Sequence, residues 1–244
     1  EDIGVKPYGA TGDDPPPNVR SATAEKLRLK VFNQHVRRTR AFWNLPAIHG
    51  LGCAGHGIVL IFSIPFAVEQ GVGLTQAAVI LTIISLVSIS SRLLTPVLAD
   101  HFEPRGTMAV MYVLQGLPVL MLFWTNDTWT FYLFAVIFGL GYGGEGSAFP
   151  IINRRYYGEG SLGRSFGWQM SGAMLGMASG GWIGGVLFGF FGDYSLTIAL
   201  SVAASLAGAA LIMSMDRTDR MLILGWEDKL PEEARSTPLP GTSR

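Results

Sequence analysis

Between Phe42 and Met213 the chain runs for 172 residues with only 12 charged side chains. That stretch divides into six apolar segments, roughly residues 43–68, 74–99, 107–124, 129–152, 163–190 and 195–213. A helix needs about 20 residues to cross the ~30 Å hydrocarbon core of a bilayer. Polar turn formers separate the segments: Glu69-Gln70-Gly71, His101 to Gly106, Thr125-Asn126-Asp127, Gly158 to Gly163 and Gly192-Asp193. Water-soluble helices of this number would carry polar faces, and these do not. The expected fold is therefore all-α: a polytopic membrane protein with six transmembrane helices.

Charge confirms the division. Residues 1–41 carry 13 charges and residues 214–244 carry 11. A soluble enzyme needs a charged surface that the middle stretch does not supply. Lys+Arg and Asp+Glu balance at 18 each, with no basic face, which argues against nucleic acid as a partner. The single cysteine, Cys53, excludes an internal disulfide framework and a CxxC metal site.

Lys and Arg also set an orientation. The breaks 69–73, 125–128 and 191–194 contain neither, and 17 of the 18 lie on the opposite side. The positive-inside rule then places both termini in the cytoplasm, consistent with an even number of crossings. Trp43, Trp124 and Trp129 sit near segment ends, where an interfacial belt would hold them. The default location is a plasma or bacterial inner membrane.

Three regions follow: a cytoplasmic linker and basic segment over 1–41, the bundle over 42–213 and a cytoplasmic tail over 214–244. Residues 1–20, with Pro15-Pro16-Pro17, read as linker. Residues 23–40 read as a basic amphipathic helix with Leu27, Val31 and Val36 on one side, either binding anionic lipid or flanking the membrane. The tail, with Pro238 and Pro240, is expected to be mobile. The chain opens on Glu1 with no apolar signal-peptide core, so a fragment or a processed product is expected.

Inside the membrane, the fifth segment carries Gly172, Gly176, Gly180 and Gly184 at four-residue spacing, with Gly181, Gly185 and Gly189 as a second row. Such rows let helices approach closely. Gly139, Gly141, Gly143, Gly144 and Gly146 repeat the device in the fourth segment. Pro46, Pro65, Pro96, Pro118 and Pro150 mark kinks or helix ends.

Arg92 is the one cation inside a segment. Eight residues separate it from Asp100, about 12 Å of helix. A guanidinium at that depth costs about 2.5–3.5 kcal/mol to insert and needs an anion or a wet cavity. It offers a planar fork for a substrate carboxylate, or one half of a structural ion pair. Glu145, at similar depth, is the candidate partner, or else a proton-exchanging carboxyl. His49, Cys53 and His56 lie at i, i+4 and i+7 on the first segment. No fourth ligand completes a metal site, so no metal is expected; a polar cavity lining is expected, with packed polar residues as the alternative. Asp100 and Arg105, in the cytoplasmic loop between the second and third segments, have the look of a charge latch, with a solvated loop as the alternative.

Leu98-Ala99-Asp100 with Arg105-Gly106 resembles the loop motif G-x-L-x-D-R-x-G-R of the major facilitator superfamily, with Pro96 where the motif has its first glycine. Six spans with both ends inside resemble the carboxyl-terminal half, helices seven to twelve, of such a transporter. Arg38-Thr39-Arg40-Ala41-Phe42-Trp43 resembles the entry to the seventh helix in the monocarboxylate transporter and oxalate/formate antiporter branch. The stretch from Gly139 to Gly167, and Gly180 to Tyr194 ending Phe191-Gly192-Asp193-Tyr194, are similar to its tenth and eleventh helices. Ser91-Arg92 matches the arginine with which that branch holds a carboxylate. Ser88 stands where proton-coupled members have Asp, and no Lys occurs between residues 31 and 228 to act as a second fixed cation.

The resemblance implies a secondary transporter that moves a small organic anion, a monocarboxylate in particular, with or without H+. It needs no cofactor. Arg92, His56, His49 and Glu145 are the implied substrate-binding residues, and the missing amino-terminal six-helix half is the implied partner. Half a cavity is not expected to transport alone. The competing reading is a non-transporting bundle that acts as a partner or regulatory subunit. No HExxH, GxSxG, Walker or paired-aspartate motif supports an enzyme.

Overall fold

The computed structural model describes residues 21–158 and 163–235. The proline-rich start, part of the break after the fourth segment and the Pro238–Pro240 tail lie outside the described residues. Those described are helical, with no strand among them. They form two units, a larger one between residues 36 and 223 and a smaller one joining residues 21–35 to 224–235.

In the smaller unit, α1 (Ala22–Val36) buries Ala24, Arg28 and Phe32 at i, i+4 and i+8. This corrects the expected stripe in part: Leu27 is exposed and Val31 half-buried, while Val36 is buried. The reason is a partner invisible to local pattern. Trp226 meets the Phe32 ring at 5.0 Å, and the Arg28 guanidinium stands 4.7 Å from the Trp226 ring centre. Arg28 also pairs with Glu227 and donates to the Ala234 carbonyl at 3.2 Å. Residues 224–235 of the tail are thus folded against α1 rather than mobile.

The larger unit holds α2 (Arg40–Glu69), α3 (Leu74–His101), α4 (Pro104–Gly116), α5 (Thr128–Tyr157), α6 (Gly163–Phe191) and α7 (Ser195–Met213). Each begins or ends within a few residues of its expected segment, because local chemistry marks the ends. The Thr39 hydroxyl caps α2 by accepting from Phe42 N–H at 3.3 Å. Gly71, at φ 87°, makes the turn out of α2 that a side chain would strain. Pro104 opens α4 at its first turn. Pro118 lacks the N–H that the next α-helical bond requires, and the chain continues as a 3-10 helix over Leu117–Phe123. The other four intramembrane prolines lie inside continuous helices.

Asp127 caps α5, accepting from Trp129 N–H at 3.0 Å and Thr130 N–H at 3.1 Å. The Thr130 hydroxyl bond, then the backbone bonds, hold its carboxyl below the ordinary value. A depressed carboxyl stabilises the fold fully above its unfolded pKa, and that contribution is lost as pH falls through the folded value. Asp127→Ala therefore lowers the melting temperature at pH 7. The difference from wild type shrinks below about pH 4, as a pH series of thermal melts will show.

Among the described residues, five spans are long and apolar enough to cross a membrane: α2, α3, α4 with its 3-10 extension, α6 and α7. The sixth, α5, has 30 residues, but its glycines, Tyr142 and Glu145 dilute its apolar content. It runs parallel to α3, with Tyr132 Oη donating to Gln76 O at 3.2 Å near one end and Ser147 Oγ to Arg92 O at 3.3 Å further along. Trp43, Trp124 and Trp129 are exposed at helix ends.

The packing repeats within itself. α2 packs on α6 and α7, while α5 packs on α3 and α4; α4 and α7 also meet. Exchanging α2-α3-α4 for α5-α6-α7 maps this pattern onto itself. Three helices per repeat invert the direction, giving the inverted-repeat architecture of many transporters.

Glycine makes both long pairings possible. On α6, a Cβ at Gly172 would strike the Pro46 carbonyl, one at Gly176 the Gly50 carbonyl, and one at Gly180 would lie 2.6 Å from the Ala54 oxygen. Gly184 faces Phe62 instead. On α5, Gly139 and Gly143 lie against the α3 backbone at Ile84 and Ser88. The second row meets only side chains of α2: a Cβ at Gly181 would lie 2.5 Å from Ile61 Cδ1 and one at Gly185 3.8 Å from the Phe62 ring, while nothing lies within 4 Å at Gly189. The apolar core, with Phe66, Ile80, Ile84, Phe131 and Phe134, fills the end of the bundle where α2 finishes and α5 begins.

Candidate functional site

Toward the other end the interior becomes polar. His49, Cys53 and His56 occupy one buried stripe of α2, and Glu145 faces them from α5. Gly52 clears the space, since a Cβ there would fall on Glu145 Oε1 and lie 2.6 Å from the Tyr112 hydroxyl. Ring nitrogens of His49, the Cys53 sulfur and a Glu145 oxygen lie within 4.8 Å of one another.

Glu145 Oε2 bonds His56 Nδ1 at 3.1 Å. His56 also presents its ring edgewise to Tyr142, 4.9 Å away. His49 stacks on Phe149 at 3.9 Å, and Gln169 Nε2 reaches His49 Nδ1 at 3.4 Å. Gln169 is itself held by Asn153 Nδ2, which donates to Gln169 Oε1 at 2.7 Å. From α4, Tyr112 donates to the Ile48 carbonyl at 2.7 Å and Gln115 to the Gly52 carbonyl at 3.1 Å. These bonds fix α2 against α4 and set the register of the histidine stripe.

Arg92 does not pair with Glu145. Its guanidinium lies over the Tyr142 ring, 5.8 Å from the centre, and Tyr142 separates it from the His56–Glu145 pair. The parallel run of α3 and α5 places both residues at similar height, but His56 takes the carboxylate. Arg92 is exposed on the bundle and makes no ion pair among the described residues.

The loop latch is also rearranged. Arg105 pairs with Glu103 at 3.1 Å and donates to the Met213 carbonyl at 3.3 Å, where α7 ends. Glu103 accepts from Thr218 N–H at 3.3 Å. Asp100 is exposed and has no partner among the described residues. Glu103, two residues from Arg105, reaches it without the turn that Asp100 would need.

Sequence reasoning missed Tyr112, Gln115, Tyr142, Asn153 and Gln169. Each is a polar side chain within an apolar segment or, for Asn153, at its edge. Tyr142 lies three residues before Glu145, on the same helix face, which was the available signal.

The profile of the Major Facilitator Superfamily matches residues 8–153 and again 97–239. The chain belongs to this superfamily. A relative is the 4-hydroxybenzoate transporter PcaK of Acinetobacter baylyi, 27% identical over 145 residues. The match covers 59% of this chain and 31% of that relative, so the chain spans well under half of the transporter it resembles. Superfamily membership and the apolar helices make this a multi-pass membrane protein of the major facilitator fold.

Proposed function

We propose that the chain forms one six-helix bundle of a secondary transporter that moves a small organic anion, a monocarboxylate, by alternating access. The observation that carries this reading is Arg92. It is a guanidinium on the surface of the bundle, nine residues or about 13 Å of helix from the end of α3. A charge there cannot rest against lipid at reasonable cost. It faces a wet cavity, shared with a second six-helix bundle, and its free fork takes a carboxylate. Tyr142, stacked on Phe138 at 6.2 Å, offers an aromatic wall beside that fork. His56, with His49 and Glu145 behind it, supplies the polar lining. The Acinetobacter relative is a transporter of 4-hydroxybenzoate, itself an aromatic monocarboxylate. Both termini lie in the cytoplasm of a plasma or bacterial inner membrane, as the distribution of Lys and Arg directs.

The test is uptake of labelled 4-hydroxybenzoate and of aliphatic monocarboxylates by cells that express the intact protein and lack other carriers for them. Saturable uptake of at least one monocarboxylate is expected. Bundles that bind a partner without carrying any anion would show none.

A further inference from the structure

At the opposite end of the bundle from the histidine stripe lies a cavity of about 370 Å³. That is at the small end of the ~300–1,000 Å³ range of small-molecule sites. Its walls come from the end of α2, the 3-10 helix after α4 and the turn into α7. Two carboxylates line it, Glu69 and Asp193, and no Lys, Arg or His does. Neither has an ion-pair partner among the described residues. Asp193 Oδ1 accepts from Ser195 N–H at 2.7 Å, which leaves Oδ2 without a bond. Tyr194, between the two acids in the wall, is only 8% exposed, yet its hydroxyl makes no hydrogen bond among the described residues. Its ring stacks on Phe188 at 4.4 Å and meets Phe66 edgewise at 5.5 Å, so the ring is held by apolar neighbours and the hydroxyl is left to the cavity. Burial, and then the charge of Glu69, push this phenol up, which puts the hydroxyl within electrostatic reach of that carboxylate. A buried hydroxyl without a partner, beside negative charge without a counter-ion, calls for a ligand.

We infer that this cavity binds a primary alkylammonium group, with Glu69, Asp193 and Tyr194 as its acceptors. A primary ammonium carries three N–H donors and no acceptor, and the cavity offers three acceptor side chains and no cation. Phe66, Phe123 and Trp124 line the rest, and aromatic faces attract an ammonium and the methylenes beside it. A bare divalent cation fits less well. Calcium asks for six to eight oxygens at about 2.3–2.6 Å, and much of this wall is aromatic carbon. The ammonium belongs either to a free amine or to the ethanolamine headgroup of a lipid. Trp124, exposed at the end of its helix, stands where an interfacial belt would bring headgroups within reach. A ligand here ties together the end of α2, the 3-10 helix and the start of α7, and so stabilises the arrangement in which they meet. The inference does not rest on the transport reading.

The experiment is a thermal melt of the purified, delipidated intact protein in an uncharged detergent at constant ionic strength. The probes are butylamine, its uncharged counterpart butanol, and short-chain phosphatidylethanolamine against phosphatidylglycerol. A saturable rise in melting temperature is expected with butylamine, with phosphatidylethanolamine or with both, and none with butanol or phosphatidylglycerol. A rise with butylamine supports a site open to free amines, and a rise with phosphatidylethanolamine alone supports a headgroup site. Glu69→Gln combined with Asp193→Asn is expected to abolish the rise. Should the double variant fail to fold, each single variant is expected to weaken the apparent affinity about fivefold, the size of one exposed ion pair. No rise with either ammonium, an equal rise with butanol or phosphatidylglycerol, or an undiminished rise in the variants overturns the inference. A rise with Ca(II) that butylamine fails to compete away overturns it too, since an inorganic cation would then fill the cavity. Uptake enters none of these readouts, so a protein that carries no anion can still bind the amine, and a carrier can still fail to.

Discussion

Arg92→Ala lowers uptake efficiency for a monocarboxylate about 30-fold, and Arg92→Lys recovers only part of it. The estimate follows from the cost of truncating one side of a desolvated charge pair, about 2 kcal/mol at the low end of its range, with 1.4 kcal/mol per factor of ten. The low end applies because Arg92 is exposed in the bundle and keeps some water. Lysine keeps the charge but loses the fork, so it holds a carboxylate through a single ammonium rather than two parallel N–H donors. Removing Arg92 leaves no buried carboxylate stranded, since Glu145 is bound to His56. The variant therefore folds, and a melt alongside the uptake assay will show an unchanged transition. Full uptake by Arg92→Ala would remove Arg92 from the site.

Gly143→Leu separates α3 from α5. A Cβ at Gly143 would stand 2.7 Å from the Ser88 Cα and 2.8 Å from its carbonyl carbon, both backbone atoms that cannot step aside. Overpacking of this kind costs about 3 kcal/mol. In a unit of this size that is a fall of about 10 °C in melting temperature. Gly146→Leu, three residues on, is the control, because nothing lies within 4 Å of a Cβ there. Its melting temperature stays at the wild-type value. The comparison separates the cost of a larger side chain in α5 from the cost of prising two helices apart. It also moves Arg92, which α3 carries, away from Tyr142, which α5 carries.

The fold was legible because membrane helices write their length and their ends into sequence. Apolar runs had to span a bilayer, and the polar breaks, such as Thr125-Asn126-Asp127 and Gly192-Asp193, marked where one helix gives way to the next. Glycines at four-residue spacing announced close approach but not the partner; that α6 meets α2 rather than α7 along its ladder is a property of three-dimensional packing. The site was legible as a set of residues and illegible as a set of bonds. Depth along a helix put Arg92 and Glu145 at one height, which is true, but azimuth decides pairing, and azimuth placed Tyr142 between them. At Asp100 the charge order of the loop misled, since the acid nearer in sequence, Glu103, holds Arg105. In α1, Leu27 and Val31 gave an apolar stripe by hydropathy alone. The helix turned instead toward Trp226, some two hundred residues away, because an indole buries more area than a leucine offers.

The most direct test of a carboxylate on Arg92 is competition by a matched pair, 4-hydroxybenzoate and 4-hydroxybenzamide, against uptake of a labelled monocarboxylate by the intact protein. The two differ only in the group that would meet the guanidinium. The acid is expected to compete and the amide to fail at concentrations 30-fold higher, about the factor expected for loss of the charge pair. Equal competition by the amide would show that the bound group is not a carboxylate, and the account of Arg92 would fall.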